Sequence, residues 1–563
     1  MQHRRCRSGW VLLAGVFLSL SPVRGDEPEA KEAARVLPTG TLSTEAWLKA
    51  STAPLAPGEI DRLVHQELDK ASIKPAPLTT DEQFVRRVSI DLTGKLPTPE
   101  TLKLFWADKS PTKRAKFIDQ LLDSDDFARH WARYWREVIA SRATNVQSRA
   151  FVRHFEAWLT KQFKESKSWA EMTRAMLTAT GPIRFDEPEK NGEGYFLASR
   201  SGADAVTERA AEASRVFLGI QIQCAQCHDH PSDVWKRKQF HEFAAYFARM
   251  RERPIREDNK LVGLNLFSVP FGEHQMPDAA DPKKTTPMQP RFLDGKGPSG
   301  FRLGDQVRRK SLADAIVSRD NPWFAGAFVN RIWGEFMGQS FYQPVDDMGP
   351  QKEAVLPAVL ARLAGAFRGS DHDIKGVYRA ILNSDTYQRQ IRPTDPGADH
   401  LLFASINPRR MNADALWQSL VSTLGPLGGF GFGPKTKKGP FGGPFGFGGG
   451  LEFQFKQEFQ FDPSTKPEDV EGSIPQALML MNNPLINQRL QAKGQTMLAR
   501  ILENHANDDD AIRIVYQRTL GRRPTQRELD RCREHVRATA TRAEAFEDIL
   551  WALINSTEFQ TQR

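Results

Sequence analysis

The chain is poor in cysteine, and this scarcity narrows the chemistry open to it. Only 4 of its 563 residues are Cys, and two of these, Cys6 and Cys532, stand alone. A small scaffold built on many disulfides is therefore excluded, because such a scaffold needs a dense set of cysteines. Cys224 and Cys227 form the one close pair in the sequence, so any thiol chemistry is expected there.

Long hydrophobic runs and blocks of like charge are lacking as well. The main apolar stretch, residues 10–20, is about 11 residues long, which is too short to cross a bilayer as a helix. The formal net charge is +9, and Lys and Arg are interleaved with Asp and Glu rather than clustered. We therefore expect no nucleic-acid partner, and no transmembrane segment in the mature protein.

The N-terminal residues have the pattern of an export signal. A basic stretch at 4–7 precedes the apolar run, and the small residues Val23 and Gly25 suit the −3 and −1 positions of a cleavage site. We predict a secretory signal over 1–25, with an uncleaved membrane anchor as the alternative. Such a signal would deliver the protein to the periplasm or the cell envelope.

Beyond the signal, the sequence indicates a mainly α protein. Apolar residues recur at helical spacing in two blocks, which we expect to be helical domains at 59–250 and 308–563. Pro, Gly and Lys dominate 251–307, which we predict to be an irregular, partly β connector. Residues 26–58 are polar and rich in Pro and Ala and are expected to be a flexible lead-in. The Gly/Phe-rich segment 425–450 is expected to be a flexible insertion.

One short pattern occurs three times and predicts a corner at which one helix ends and the next begins. In each copy an Asp or Asn ends one helix and a Ser caps the next helix. An acidic residue lies near the positive end of the new helix dipole, and an aromatic residue three positions after the Ser anchors the corner. We expect these residues to be structural rather than catalytic. The copies lie at 121–127, 381–387 and 553–559.

The most informative motif is Cys-x-x-Cys-His at residues 224–228, the attachment signature of c-type haem. In chains of this composition it arises by chance in about 6 of ten thousand. Two thiols three residues apart lie on one side of a helical turn, where both can add to the haem vinyl groups, and His228 then supplies the imidazole that binds the iron. This interpretation predicts a single covalent haem c held by Cys224, Cys227 and His228. The predicted export agrees with it, because c-type haem is attached outside the cytoplasm.

Two other interpretations of the cysteine pair stay open. Cys224, Cys227 and His228, together with His230 and either His241 or Asp229, supply the ligand types of a zinc site. Zinc sites, however, usually draw two pairs from separated segments. The two thiols are also spaced for a local disulfide or redox pair. Redox motifs of this spacing favour a strand–helix setting, which is not indicated for this segment.

The second axial ligand of such a haem is not fixed by the sequence. His230 is only two residues from His228 and does not easily reach the opposite face of the same macrocycle. Other His and Met residues are candidates, and a five-coordinate iron is equally compatible with the motif. The candidates are Met250, His241, His274 and Met276.

Six segments carry a family resemblance, namely 84–98, 217–223, 321–333, 346–350, 473–478 and 520–525. Read together, they resemble the paired domains of unknown function found in planctomycete cytochrome-type proteins. The N-terminal member, the planctomycete-specific cytochrome domain, would span about 59–250, and its usual partner domain about 308–560. The resemblance implies no assigned reaction, since the cytochrome name rests on the same Cys-x-x-Cys-His. Relatives commonly have an aromatic residue after the His-Pro, where this chain has Ser232.

The sequence supports two functional hypotheses. The first is an exported c-type haem protein that transfers electrons, or carries out a redox step, with a redox partner protein. The second is a non-redox helical protein of the cell envelope, either a scaffold or a glycan- or protein-binding protein. In that case the Cys/His cluster would be a structural metal or disulfide site. The residues do not decide whether the protein is an enzyme.

Overall fold

The computed structural model describes residues 39–300, 303–391, 401–427 and 450–562. The predicted signal at 1–25, the start of the lead-in up to residue 38, and residues 428–449 of the predicted insertion lie outside the described residues. The chain is 57% helical and its few strands are short, so the mainly α prediction is confirmed. Among the described residues, none of the helices is long and apolar enough to cross a membrane.

The described residues form 25 α-helices. The first twelve are α1 (Thr44–Lys49), α2 (Glu59–Lys70), α3 (Asp81–Thr93), α4 (Pro99–Ala107), α5 (Lys113–Leu122), α6 (Asp125–Ala140), α7 (Val152–Lys164), α8 (Trp169–Thr178), α9 (Tyr195–Ala198), α10 (Ala205–Leu218), α11 (Arg237–Ala244) and α12 (Asp305–Ile316). The others are α13 (Pro322–Met337), α14 (Pro357–Gly369), α15 (Ile374–Leu382), α16 (Asp385–Gln388), α17 (Ala413–Leu424), α18 (Leu451–Phe459), α19 (Ile474–Asn482), α20 (Pro484–Leu490), α21 (Met497–Asn504), α22 (Asp508–Leu520), α23 (Gln526–Ala538), α24 (Arg542–Ile554) and α25 (Thr557–Gln560). Short 3₁₀-helices lie at Val146–Phe151, Gly192–Gly194, Ile222–Gln226, Ala245–Phe247, Leu401–Phe403 and Pro467–Asp469.

The strands pair antiparallel in small sheets. They are β1 (Thr39–Thr41), β2 (Gly181–Arg184), β3 (Met250–Glu257), β4 (Lys260–Ser268), β5 (His274–Pro277), β6 (Thr285–Met288), β7 (Glu353–Val355), β8 (Arg409–Arg410) and β9 (Thr561–Gln562). β4 lies between β2 and β3 in a three-stranded sheet, and the other pairs are β1–β7, β5–β6 and β8–β9. Four of the nine strands, β3 to β6, fall within 250–288. The region predicted as a connector is therefore the part of the described residues that is richest in strands.

The three predicted corners form in the same way, which confirms their structural role. In each, the Ser hydroxyl accepts a hydrogen bond from the amide of the aromatic residue three positions on. The same hydroxyl donates to the carbonyl three positions back, which satisfies the end of the preceding helix. The aromatic rings are fully buried. The corners are Ser124–Phe127, Ser384–Tyr387 and Ser556–Phe559, with amide-to-hydroxyl distances of 3.1, 3.2 and 3.2 Å.

The lead-in differs from its prediction over residues 39–58, which pack against the rest of the fold. β1 pairs with β7, and Trp47 of α1 is only 1% exposed. Arg362 of α14 donates to three lead-in carbonyl oxygens, those of Ser51, Ala53 and Pro54, at 2.9 to 3.1 Å. A polar, Pro-rich composition suggested mobility, but one Trp and one distant Arg anchor the segment.

Two hydrophobic cores run through the described residues. The first takes in buried side chains from Leu42 to Ile406, and the second those from Met411 to Phe559 together with Ile90 and Leu96. The first core joins both predicted domains. Its aromatic centre is the ring of Trp135, which lies 4.2 Å from that of Trp169 and 5.7 Å from that of Phe328 on α13. The proposed boundaries at 250 and 308 therefore do not separate two cores.

Replacing Trp47 by Ala tests whether the lead-in is part of the fold. Trp47 packs against Trp323, with ring centres 6.0 Å apart, and against the backbone of Gly326. Trp47→Ala is expected to lower the free energy of unfolding by about 3–5 kcal/mol, because a large buried ring is lost. The measurement is urea denaturation followed by far-UV circular dichroism.

Leu48→Ala is the matched control, since Leu48 is the next residue and is 39% exposed. Its loss should be about 0.5 kcal/mol or less. Equal losses for the two variants would mean that residues 39–58 are not packed as described.

Candidate functional site

The Cys-x-x-Cys-His motif lies on a tight turn that follows a buried helix. α10 ends at Leu218, and Gly219 adopts a left-handed conformation with φ +68°, which only glycine takes up without strain. The chain then forms the 3₁₀-helix Ile222–Gln226. In such a helix residues three apart eclipse each other, so buried Ile222 and Ala225 mark its inner face. Cys224 and Cys227 share the outer face for the same reason.

Both thiols are consequently open to solvent. Cys224 and Cys227 are exposed, and they are not joined by a disulfide. The structure therefore has no structural disulfide between Cys224 and Cys227. The turn instead leaves two free thiols, three residues apart in the chain, on the surface.

His228 is also exposed, and one of its ring nitrogens is already engaged. Its Nδ1 lies 2.7 Å from the carbonyl oxygen of Asp229. A carbonyl only accepts, so Nδ1 carries the proton and donates it. Nε2 is then the nitrogen left to bind a metal, and ligating histidines commonly hold their other N–H in this way.

His230 faces a different set of partners. Its amide donates to the carbonyl of Trp235 at 2.8 Å, and its Nδ1 accepts from the amide of Ser232 at 3.3 Å. These bonds close the loop that follows the motif. Within the described residues His230 acts as a loop-closing residue.

His241 of α11 holds the turn from its inner side. Its Nε2 donates to the carbonyl of Gln226 at 3.0 Å, and Arg237 Nε donates to the same oxygen at 3.3 Å. His241 Nδ1 then accepts from Nε2 of His274 on β5 at 2.8 Å. Both nitrogens of His241 are therefore occupied, and its role is to fix the backbone between the two cysteines.

The two rings of this histidine pair are neutral. Burial lowers the pKa of His274 to about 4, and the neighbouring His241 acts in the same direction. Burial also lowers the pKa of His241, and this outweighs the opposite effect of its bond to Gln226. A neutral pair keeps the chain of donors described above intact.

Asp229 ties the loop to the start of α11. One carboxylate oxygen accepts from the amide of Arg237 at 3.0 Å, and the other accepts from Lys236 Nζ at 3.1 Å. The bond from the Arg237 amide, helped by Lys236, holds the pKa of Asp229 below its usual value. A carboxylate at a helix N-terminus also satisfies amides that would otherwise lack partners.

A buried network of charges lies on the other side of the motif. Asp346 accepts from Gln221 Nε2 at 2.8 Å and from Arg215 Nη1 at 3.1 Å, with Arg331 and Arg142 at 3.6 and 3.8 Å. Burial favours the neutral acid, but the guanidinium groups outweigh it and hold the pKa of Asp346 below its usual value. The negative charge of Asp346 is therefore compensated by the surrounding arginines.

The described residues contain no cluster of three or more His, Cys, Asp or Glu side chains that would hold a metal ion. A zinc site formed from both cysteines with His230 and His241 accordingly lacks its geometry in this part of the chain. Each candidate for a second axial ligand has surroundings of its own. Met250 is fully buried in the first core, His241 and His274 bind each other, and Met276 is half-buried on β5.

The donor set nevertheless fits a c-type haem. Two adjacent exposed thiols and an imidazole with a protonated Nδ1 are what covalent attachment and iron ligation require of a protein. Each of these groups is at the surface rather than in a closed cleft. The sequence located the three donors, but it did not reveal the support from Gln226, Arg237 and Asp346. Asp346 lies in one of the six segments that carry the family resemblance.

Two family matches cover more than half of the chain. Residues 59–252 match the family described as Protein of unknown function (DUF1549), named PSCyt2. Residues 308–440 match the family described as Protein of unknown function (DUF1553), named PSD1. No curated protein and no solved structure matches the chain.

The two matches place a cytochrome-named domain of unknown function and a second domain of unknown function in this order along the chain. The chain belongs to this PSCyt2–PSD1 family, as its resemblance predicted. The second match ends at residue 440, within the part that resembles the partner domain. The Cys-x-x-Cys-His motif lies in the first match, and Asp346 lies in the second.

The buried histidine pair predicts a loss of stability in mild acid. The folded pKa of His274 lies below its unfolded value of about 6.5, so the unfolded chain binds more protons as the pH falls from about 6.5 to 4. His274→Gln keeps an N–H donor for His241 but does not titrate. It should reduce the stability lost between pH 7 and pH 5 by about 2 kcal/mol.

Urea denaturation at several pH values measures this difference. If His274→Gln and wild type lose stability in parallel, the pair is not held neutral in the fold.

Proposed function

We propose that the protein is an exported c-type haem protein that transfers electrons in the cell envelope. Cys224 and Cys227 would hold a single haem c through thioether bonds, and His228 would bind its iron. The observation that carries the proposal is the form of the 3₁₀ turn. It exposes both thiols together and leaves Nε2 of His228 as the available imidazole nitrogen.

A haem bound there supplies one-electron exchange between ferric and ferrous iron. The chain's own residues do the rest. The carbonyl of Asp229 accepts from Nδ1 of His228, which fixes the ring and increases the basicity of Nε2. His241 and Arg237 hold the Gln226 carbonyl, so the backbone between the two sulfur atoms keeps its shape.

Export is part of this proposal. The predicted signal at 1–25 lies outside the described residues, and it supports delivery to the periplasm or the cell envelope, where haem c is attached. The surface position of the motif supports exchange of electrons by direct contact with a redox partner protein. The name of the first matched family, PSCyt2, agrees with this proposal but does not add to it independently.

The second candidate is a non-redox envelope scaffold or a glycan- or protein-binding protein. One observation favours it, which is the exposure of Cys224, Cys227 and His228. Haem sites are usually shielded by apolar side chains that control access of solvent to the iron. The same experiments decide between the two candidates.

Covalent haem attachment is tested on protein made in a host with haem c maturation. Wild type should show a pyridine haemochrome band after denaturation, with about one haem per chain. Cys224→Ser and Cys227→Ser together should abolish the band, because no thioether can form. The measurement is the absorbance of the denatured protein in alkaline pyridine.

Cys532→Ser is the matched control. Cys532 is the other cysteine of the described residues, it is buried in α23, and its loss should leave the haem content unchanged. The absence of a haemochrome band from the wild type would contradict the haem proposal and favour the non-redox envelope protein.

The role of His228 is tested separately from attachment. His228→Ala should retain both thioethers, because the thiols are untouched. The visible spectrum of the native protein should nevertheless change, and the reduction potential should shift, since the iron loses its imidazole. Both are read from a spectroelectrochemical titration.

His230→Ala serves as the comparison, because His230 Nδ1 bonds the amide of Ser232 within the loop. Its native spectrum should match that of wild type. A spectral change in His230→Ala with none in His228→Ala would show that His230, and not His228, binds the iron.

A further inference from the structure

A segment of the second matched domain, residues 346–352, contacts the chain just before the motif. The amide of Met348 donates to the carbonyl of Gly219 at 2.8 Å. The side-chain amide of Gln221 donates to a carboxylate oxygen of Asp346 at 2.8 Å. Both contacts lie within five residues of Cys224, and both come from a part of the chain more than 120 residues further on.

The same segment contacts the chain just after the motif. Lys352 Nζ donates to the hydroxyl of Ser232 at 3.1 Å, at the position where relatives commonly have an aromatic residue. Gly349 lies directly against Asp233, whose side chain is buried. A Cβ placed on Gly349 would come within 1.7 Å of Asp233 Oδ2. Glycine is thus required here by close approach.

Residues 346–352 therefore bracket the motif. Before Cys224, the contacts are the backbone hydrogen bond from Met348 and the bond to the buried carboxylate of Asp346. After His228, they are the close packing of Gly349 and the hydrogen bond from Lys352. α11 holds the turn itself through Gln226, within the first domain. Neither family match alone contains all of these supports.

We propose that residues 346–352 position the Cys–His loop, so that the attachment site is built jointly by the PSCyt2 and PSD1 domains. Asp346, Gly349 and Lys352 are positioning residues, because they touch the flanks of the motif and not its donors. They set the conformation of the loop before any group is attached, and such preorganisation removes an ordering cost from attachment. The assignment of the loop to haem rests on the proposed function, whereas the positioning stands on these contacts.

The decisive variant is Gly349→Ala. The added methyl group overlaps the Asp233 carboxylate, so the loop after His228 must move. Hydrogen exchange in the haem-free full chain reports this movement, because the amide of His230 is protected by its bond to Trp235. In the peptide that covers 222–236 we expect exchange at least about 10-fold faster than in wild type.

Gly304→Ala is the matched control, since a Cβ there meets nothing within 4 Å and its φ is −66°. Its exchange in 222–236 should equal that of wild type. Adding Asp233→Ala to Gly349→Ala removes the overlapping oxygen and should return exchange to the rate of Asp233→Ala alone, which itself lacks the bond from the Val234 amide to Asp233 Oδ1. Failure of this rescue, or wild-type exchange in Gly349→Ala, overturns the proposal.

Lys352→Met keeps the test decisive should Gly349→Ala not fold. It removes the bonds from Lys352 Nζ to Ser232 Oγ and to Asp347 Oδ2, both at 3.1 Å, and should speed exchange in 222–236 about 2-fold to 5-fold. Exchange at the wild-type rate in this variant also counts against positioning.

Haem content separates this proposal from the function on which it rests. If wild type carries haem, Gly349→Ala should shift the reduction potential, since the orientation of His228 depends on the loop. If wild type carries no haem, the proposed function fails, while the exchange comparison still decides whether residues 346–352 position the loop. Haem in wild type with unaltered exchange and potential in Gly349→Ala overturns the positioning alone.

Discussion

A single buried carboxylate, that of Asp346, joins the two halves of this protein at its candidate site. Its side chain is 1% exposed, and it is compensated by three guanidinium groups from separate parts of the chain. Removing one partner from a buried ionic group typically costs about 3–5 kcal/mol, because the remaining charge has neither water nor a counterion. The other oxygen of Asp346 binds Gln221, so this charge balance extends to the start of the Cys-x-x-Cys-His turn.

The exposure of the motif follows from its local geometry. Two apolar residues three apart, Ile222 and Ala225, fill the inner face of the 3₁₀-helix, and the thiols must then lie outside. A group held by those thiols would be close to solvent, where a partner protein can approach it. The same geometry disfavours a closed metal cage, because the flanking His241 is turned inward and is bound on both ring nitrogens.

The features that the sequence predicted well are local ones. The Ser-capped corners formed as expected, because the Ser, the acidic residue and the aromatic residue that define each corner lie within a few positions of one another. The lead-in was mispredicted over 39–58 because its anchor is not local. Arg362 lies some 300 positions away, and nothing in the composition of the segment indicates that an arginine will bind its carbonyl oxygens.

The sequence by itself determined the helical class and the family, and it singled out Cys224, Cys227 and His228 as candidate donors, since each of these depends on residue type and short spacing. Only the tertiary structure decided how those donors are supported. The contacts of Gln226 with His241, of Gln221 with Asp346 and of Asp233 with Gly349 join residues 15 to 125 positions apart. Such pairs meet because the first core packs around them. The spacing of residues along the chain does not indicate which distant side chains this packing brings together.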